Sequence, residues 1–162
     1  MGYDLTMAFI YEYERPSLTA DLVLIDPQDR VLLVRRAGEP FAGQLAIPGG
    51  FVEPGENARQ GAIRELGEET GLWLDEGSVV EIGSFTDPGR DPRGWVISVA
   101  FAARIDNQLA AQAIADTEEI LGLGWYPIRD LDHGQIAFDH DRILQAALDA
   151  DQAGLLPAAP TG

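Results

Sequence analysis

Short apolar runs separated by turn residues occupy the first third of the chain. Residues 19–25 and 30–36 are both rich in aliphatic side chains, and the four residues between them include Pro27 and two aspartates. Runs of this length with turn residues between them are typical of the two strands of a β-hairpin. Residues 46–52 contain too much glycine and proline for a helix, so a short strand that leads into a tight loop is predicted there.

A helix is predicted directly after this loop. Asn57 can act as its N-cap with Gln60 three residues later, which resembles a capping box, and Gly71 stands where a left-handed C-terminal cap is expected. Between these caps the apolar residues recur at helical spacing; they are Ala58, Ala62, Ile63 and Leu66. The pattern therefore indicates one amphipathic helix between Asn57 and Gly71.

The second half of the chain predicts further strands and a second helix. Residues 79–85 and 95–104 are strand candidates, and residues 123–126 are a shorter one. A C-terminal helix is predicted over residues 139–150, because its apolar residues are spaced as on a helix packed against a sheet; they are Ile143, Leu144, Ala147 and Leu148. Strands and helices together indicate the α/β class.

A single domain is expected over residues 1–150, because 162 residues with 46% hydrophobic content fit one core and no repeat or linker marks a second domain. The alanine- and proline-rich residues 151–162 are predicted to form a flexible tail. The first 15 residues lack the pattern of a secretory signal, and no apolar run approaches the roughly 18 residues of a membrane span. The chain has no cysteine, which fits a reducing cytoplasm.

The chain is strongly acidic, with a formal net charge of −16. Nucleic acids and anionic lipids need clusters of positive charge on their partners, so neither nucleic acid nor a membrane is expected as a partner. Most of the carboxylates are expected to form a solvated surface. The others need a separate explanation.

Three of these carboxylates share one face of the predicted helix. Glu65, Glu68 and Glu69 are related by steps of three and four residues, so they lie within about two turns. Like charges at this spacing repel, and oxygen ligands of this kind suit a hard divalent cation. An exposed acidic helix face is the alternative explanation when the three residues are considered alone.

The surrounding residues decide between the two explanations. Nine residues at fixed spacing surround and include the three glutamates: Gly50, Glu56, Arg64, Glu65, Leu66, Glu68, Glu69, Gly71 and Leu72. Their identities and spacing resemble the signature of the Nudix family without departure. That signature reads glycine, five residues, glutamate, seven residues, Arg-Glu, an aliphatic residue, any residue, Glu-Glu, any residue, glycine and an aliphatic residue. The resemblance implies a mixed β-sheet sandwiched between α-helices and a metal-dependent pyrophosphohydrolase.

The resemblance also implies roles for the signature residues. Metal ligands are expected at Gly50, through its carbonyl, and at Glu65, Glu68 and Glu69. Mg²⁺ or Mn²⁺ is the implied cofactor; it would neutralise the diphosphate and lower the pKa of the attacking water. Glu56 is expected to orient the ligands by pairing with Arg64. Arg64 has the alternative of a simple helical pair with Glu68.

Segments outside the signature resemble the ADP-ribose pyrophosphatase branch of the family. They are residues 15–21, 40–53, 85–94 and 137–140, and Pro88, sixteen residues after Leu72, is a marker associated with ADP-ribose substrates. Forked arginine donors suit a diphosphate, so Arg36, Arg90 and Arg93 are candidate substrate residues, with ordinary surface arginines as the alternative. Asp91 is a candidate for the sugar hydroxyls. Phe41 is a candidate for stacking on adenine or, alternatively, a core residue.

A carboxylate must accept the proton of the attacking water, and the candidates are Glu65, Glu118 and Glu119. We expect hydrolysis of ADP-ribose to AMP and ribose 5-phosphate. A hydrolase of oxidised nucleoside triphosphates and a non-catalytic ADP-ribose sensor are the alternatives. Sensors of this branch carry a winged-helix module after the Nudix domain, whereas this sequence ends soon after Leu148, which favours the enzyme. The resemblance also implies a homodimer.

Overall fold

The computed structural model describes residues 10–159, and a seven-stranded β-sheet forms the middle of this part of the chain. The strands are β1 (Ser17–Ile25), β2 (Arg30–Arg36), β3 (Leu45–Ala46), β4 (Gly49–Phe51), β5 (Val80–Phe85), β6 (Val96–Arg104) and β7 (Ile120–Pro127). The helices are α1 (Ala58–Thr70), α2 (Asn107–Ala110) and α3 (His140–Gln152), with single 3₁₀ turns at Glu76–Ser78, Ile128–Asp130 and His133–Gln135.

The sheet is mixed. Strands β1 and β6 run parallel and are paired along their whole length, whereas β5 joins β6 antiparallel. On the other side, β1 and β2 form the predicted hairpin and separate after the turn. The short strand β4 then pairs with the start of β1, and β7 pairs along β2. This separation leaves the loop between β3 and β4 and the start of β7 around one opening at the sheet.

A helix covers each face of the sheet, as expected for the α/β sandwich. Alternate side chains of β1 point to opposite faces. Leu22 and Leu24 pack in a core with Leu66 of α1, while Val23 and Ile25 pack in a second core with residues of α3. All of these side chains are buried, so apolar burial on both faces holds α1 and α3 in place.

Helix α1 begins and ends as the sequence predicts. The Asn57 side chain accepts from the Gln60 N–H, the Gln60 side chain accepts from the Asn57 N–H, and Gly71 has a left-handed φ of 72°. The glycine inside the helix at position 67 lies against the ring of Trp73, which leaves no room for a Cβ atom. Close packing therefore explains a residue that has a low helix propensity.

The differences from the predicted boundaries include those at β7 and at the C-terminal tail. Strand β7 starts at Ile120 rather than at residue 123, because its pairing with β2 extends to Arg36. The flexible tail expected from residue 151 is wrong at its start, since α3 continues to Gln152 and Leu156 is buried in the α3 core. Residues 160–162 of the predicted tail lie outside the described part of the chain. Residues 1–9, which belong to the segment predicted to lack a secretory signal, also lie outside it. No helix within residues 10–159 is long and apolar enough to cross a membrane.

Candidate active site

A cavity of about 620 Å³ opens beside the signature helix. It lies where the β3–β4 segment, α1, the end of β2, the 86–94 loop, the start of β7 and the start of α3 meet. Its charged lining residues are Asp21, Arg36, Glu53, Glu65, Glu69, Arg90, Asp91, Arg93, Glu118 and Glu119. A cavity of this size suits a nucleotide-sized ligand, because small-molecule pockets commonly range over about 300–1,000 Å³.

Glu69 is the buried carboxylate of the site, with 7% of its surface exposed. It accepts a hydrogen bond from the Gly49 N–H, but its Oε2 atom has no partner and no contact with solvent. Burial, followed by the nearby charge of Glu65, raises the pKa of Glu69 to about 8. A buried carboxylate oxygen without a partner is costly, and a bound cation would remove that cost.

Glu65 lies one helical turn earlier, against the backbone of Gly50. A Cβ atom at position 50 would stand 2.5 Å from the Glu65 carboxyl carbon, so only glycine allows this approach. Burial raises the pKa of Glu65, and its hydrogen bond from Arg64 opposes that shift. The signature glycine and the first signature glutamate of the helix therefore form one packed unit.

Arg64 connects the signature loop to the helix. Its Nη2 donates to Glu56 Oε1 at 2.8 Å and to the Phe51 carbonyl at 3.0 Å, and its Nη1 donates to Glu65 at 3.0 Å and to Glu68 at 3.2 Å. The hydrogen bond from Arg64 lowers the pKa of Glu56. Arg64 thus makes both the expected contact with Glu56 and the alternative helical pair with Glu68.

Glu68 differs from its two neighbours in the signature. Its side chain is 53% exposed, and it does not line the cavity. Within residues 10–159, no three acidic, histidine or cysteine side chains form a preformed metal cluster, and Arg64 makes ion pairs with both Glu65 and Glu68. The donors nevertheless fit a hard cation: all are oxygens, and Glu69 Oε2 is unpartnered.

Arg36 also lines the cavity. Its Nε donates to the Pro40 carbonyl at 2.8 Å, and its guanidinium lies 4.9 Å from the centre of the Phe138 ring. Burial, followed by the positive charge of Arg93, lowers the pKa of Arg36. No carboxylate in the described part of the chain lies within ion-pair distance of Arg36. Two like charges near each other favour an anion between them.

Arg93 is another arginine that lines the cavity. Asp91 is 4% exposed and holds it, with Oδ2 accepting from Arg93 Nη2 at 2.7 Å and Oδ1 accepting from its backbone N–H. The Arg93 guanidinium also lies 5.0 Å from the Phe51 ring centre and 5.4 Å from that of Phe138. Asp91, expected at the sugar hydroxyls, therefore has Arg93 as its partner.

Two other predicted substrate residues have protein partners. The Arg90 side chain is 4% exposed and makes a two-point ion pair with Asp139, with distances of 2.6 and 2.9 Å. That pair fixes the 86–94 loop to the start of α3 and occupies the fork that was expected to meet a diphosphate. Phe41 packs edge-on against Phe138, with ring centres 4.8 Å apart, and does not line the cavity. The core alternative describes Phe41 best.

Glu118 and Glu119 both line the cavity and are exposed. The Glu119 carbonyl accepts from the Ala37 N–H at 3.1 Å, which fixes this segment beside the end of β2. Burial is the main cause of the raised pKa of Glu65 and of Glu69, and the charge of Glu119 contributes to both. The two candidate loop carboxylates thus lie in the same cavity as the signature glutamates.

Several residues of the cavity or directly beside it were not proposed from the sequence as functional: Asp21, Phe51, Ser98, Phe138 and His140. Phe51 and Phe138 supply the rings beneath the arginines. Asp21, Ser98 and His140 form a buried polar group, of which Asp21 and His140 line the cavity. A polar residue at an inward position of a strand, such as Asp21, is the sequence signal that could have indicated it.

The comparison with protein families agrees with this geometry. The model of the NUDIX domain matches residues 15–147, which is most of the chain. The chain therefore belongs to the Nudix family. Helix α1 carries the Arg-Glu and Glu-Glu pairs of the family signature, and the similarity to a pyrophosphatase described next supports a pyrophosphohydrolase.

Two curated relatives are similar over most of the chain. The ADP-ribose pyrophosphatase of Methanocaldococcus jannaschii is 37% identical over 82% of this chain and 73% of its own length. The ADPR responsive transcriptional repressor of Acinetobacter baylyi is 30% identical over 91% of this chain, which spans 61% of the repressor. The names of both relatives refer to ADP-ribose, which is abbreviated ADPR in the second.

Solved structures show the same fold. The NUDIX domain of Shewanella oneidensis NrtR in complex with ADP ribose has a TM-score of 0.75 at 28% identity, covering 85% of this chain and 89% of that one. Another similar structure is a bifunctional NMN adenylyltransferase/ADP ribose pyrophosphatase of Francisella tularensis with AMP and a Mn ion. It has a TM-score of 0.71 at 26% identity, and the match covers 86% of this chain and 43% of that one. The expected homodimer and the cytoplasmic location stay predictions.

Proposed function

We propose that this chain hydrolyses the diphosphate bond of ADP-ribose and releases AMP and ribose 5-phosphate. The observation that carries the proposal is one cavity lined by both carboxylates and arginines, among them Glu65, Glu69, Arg36 and Arg93. A diphosphate is the ligand class that suits both sets of side chains, because it needs cations and forked donors at adjacent oxygens.

Glu69, Glu65 and the Gly50 carbonyl would hold a divalent cation, with Glu68 joining them after release from Arg64. Mg²⁺ or Mn²⁺ at this place would supply charge neutralisation to the diphosphate and activation of water. Support comes from the unpartnered Oε2 of Glu69 and from the absence of a side chain at Gly50. Glu56 would keep Arg64 in place during that change, through the ion pair of 2.8 Å.

The proposed reaction is a hydrolysis that consumes one water molecule for each substrate molecule. The water oxygen forms a bond to one phosphorus, the bridging P–O bond breaks, and each product leaves as a monophosphate. Arg36 and Arg93 would bind the non-bridging oxygens, and both guanidiniums lie close to the Phe138 ring. A carboxylate on the chain accepts the water proton, and Glu119 is our first candidate because its charge acts on Glu65, Glu69 and Arg36.

Arg36→Lys should raise the KM for ADP-ribose by about 10-fold, because an ammonium group cannot replace the two parallel donors of a guanidinium. Arg35→Lys is the matched control. Successive side chains of a strand point to opposite faces, and Arg35 donates to the Gly43 carbonyl outside the cavity. Steady-state kinetics of both variants checks the prediction, and equal KM values would remove Arg36 from substrate binding.

The substrate is tested by comparing ADP-ribose with 8-oxo-dGTP at matched Mg²⁺, with the products separated by chromatography. We expect a higher kcat/KM for ADP-ribose and two monophosphates as products. A site that hydrogen-bonds the second ribose would reject a ligand without it, because its own polar groups would stay unpaired. A higher kcat/KM for 8-oxo-dGTP, with release of pyrophosphate, would replace this proposal with the triphosphate alternative.

Calorimetry together with product analysis tests the sensor alternative. The similarity to the repressor of Acinetobacter baylyi and to the ADP ribose complex of NrtR favours binding of ADP-ribose but not its cleavage. Tight binding of intact ADP-ribose in calorimetry, without AMP after long incubation with Mg²⁺ or Mn²⁺, would support the sensor. Release of AMP supports the hydrolase.

A further inference from the structure

A buried polar group lies directly beneath the loop that carries Gly49 and Gly50. Asp21, Ser98 and His140 are at most 5% exposed, and they come from β1, β6 and the first residue of α3. Asp21 and Ser98 occupy positions on their strands that point to the α3 face, where the next inward residues of β1 and β6 are apolar. Polar groups are rarely placed at such positions unless they have partners.

Each of the three side chains has an identified contact. The Ser98 hydroxyl donates to Asp21 Oδ2. The other carboxylate oxygen, Oδ1, lies 3.7 Å from His140 Nε2 and packs against Gly49, where a Cβ atom would collide with it. His140 Nδ1 accepts a hydrogen bond of 3.0 Å from the Ile47 N–H. The group therefore connects the core on the α3 side to the β3–β4 segment.

The contacts of His140 identify which of its ring nitrogens carries the proton. Because Nδ1 accepts from a backbone N–H, the ring proton of neutral imidazole is on Nε2, which faces Asp21. Burial lowers the pKa of His140, and the charge of Asp21 opposes that shift. Neither ring nitrogen is free to accept a proton from water. His140 is thus unsuited to act as a general base, although it lines the cavity.

The segment that His140 holds leads directly to the proposed metal ligands. Ile47 is bonded to His140, the Pro48 carbonyl accepts from the Leu22 N–H, and the Gly49 N–H donates to Glu69. Gly50 follows and contacts Glu65. A displacement of Ile47 would therefore move the donor to Glu69 and the carbonyl at Gly50 together.

We propose that His140, supported by Asp21 and Ser98, is a positioning residue that fixes the Ile47–Gly50 backbone so that Gly49 and Gly50 meet Glu69 and Glu65 at the geometry needed for a divalent cation. The Ile47 N–H is the contact through which it acts. This inference rests on the proposed function for its effect on turnover, whereas its effects on metal affinity and on backbone geometry are independent of substrate.

Three substitutions of His140 separate this contact from packing. His140→Asn places an amide oxygen near the position of Nδ1 and can still accept from the Ile47 N–H. His140→Gln places its polar group near the position of Nε2 and cannot. His140→Leu has a similar volume and leaves the Ile47 N–H unpaired in a buried place. The matched control is His133→Leu, since the other histidine is 68% exposed and lies outside the cavity.

Affinity for Mn²⁺ alone, measured by electron paramagnetic resonance, is the first readout. We expect His140→Leu and His140→Gln to weaken binding by about 10-fold or more, and His140→Asn and His133→Leu to stay within about 3-fold of the wild type. Turnover of ADP-ribose should follow the same order, with kcat affected more than KM. If His140→Leu does not fold, the comparison of His140→Asn with His140→Gln decides, because both keep a polar group of similar size.

Nuclear magnetic resonance of the metal-free protein is the second readout. The wild type should show His140 in the Nε2–H form and an Ile47 amide proton shifted by its bond to the ring. His140→Leu should shift the Ile47, Gly49 and Gly50 amide signals, while His140→Asn should largely restore them. Equal Mn²⁺ affinities in the Asn and Gln variants, or unmoved Gly49 and Gly50 signals in folded His140→Leu, would overturn the inference. Failure of wild-type protein to cleave ADP-ribose would instead overturn the proposed function and leave these two readouts valid.

Discussion

Glu69→Gln is expected to lower kcat for ADP-ribose by at least about 100-fold, which is the scale for removal of charge stabilisation in a metal-assisted reaction. Glutamine has nearly the same shape, so the fold should be retained. The reason for choosing this residue is its Oε2 atom, which is buried at the cavity and has no partner among the described residues. A neutral amide oxygen at this place is a weak ligand for a hard cation.

Controls for this prediction come from other carboxylates of the chain. Glu81→Gln, on an exposed position of β5, should leave kcat unchanged. Glu68→Gln should have a smaller effect than Glu69→Gln, because Glu68 is 53% exposed and does not line the cavity. Turnover and Mn²⁺ affinity are measured for each folded variant. Near-normal kcat in a Glu68→Gln/Glu69→Gln double variant at low Mg²⁺ would remove these residues from metal binding.

The same substitution has a second consequence in the metal-free protein. The folded chain holds the Glu69 proton more tightly than the unfolded chain does, because burial raises the pKa from 4.5 to about 8. The unfolded state therefore binds fewer protons over this interval, and the stability of the wild type should fall as the pH rises from 4.5 to about 8. Glu69→Gln should show a smaller fall in thermal unfolding experiments with a chelator present.

Local patterns in the sequence were sufficient for the framework of the site. Asn57, Gln60 and Gly71 mark the two ends of α1 because capping depends on residues within a few positions of each other. The steps between Glu65, Glu68 and Glu69 likewise place them on one helix. These features need no information about the rest of the fold, which is why the structure reproduces them.

Local sequence patterns could not predict the contacts between segments that are far apart in the chain. Arg90 was expected at the substrate, but its partner Asp139 lies 49 residues further along the chain. His140 and Ile47 are 93 residues apart, so no local pattern indicates that the histidine holds the loop beside Gly49. Local patterns also could not distinguish the burial of Glu69 from that of Glu68. The two are adjacent in sequence, yet only Glu69 lines the cavity, because α1 packs one side against the sheet.

Glu119→Gln is the second substitution with a large expected effect. If Glu119 accepts the proton of the attacking water, kcat should fall by about 100-fold or more, the lower end of the range for general base catalysis, while Mn²⁺ affinity stays near that of the wild type. Glu119 is favoured over Glu118 because its charge acts on Glu65, Glu69 and Arg36. Glu118→Gln is the matched control on the adjacent residue and should have the smaller effect.

Glu65 is the competing candidate for the base. The two assignments differ in whether the substitution lowers kcat alone or lowers both kcat and Mn²⁺ affinity. Glu65 contacts Gly50 and accepts from Arg64, so Glu65→Gln should weaken Mn²⁺ binding and lower kcat at the same time. Glu119→Gln should lower kcat alone, with the product pattern unchanged. Normal kcat in both Glu118→Gln and Glu119→Gln would exclude this segment from proton transfer. The base would then be a signature glutamate, because Glu65 is the remaining candidate carboxylate beside Gly50.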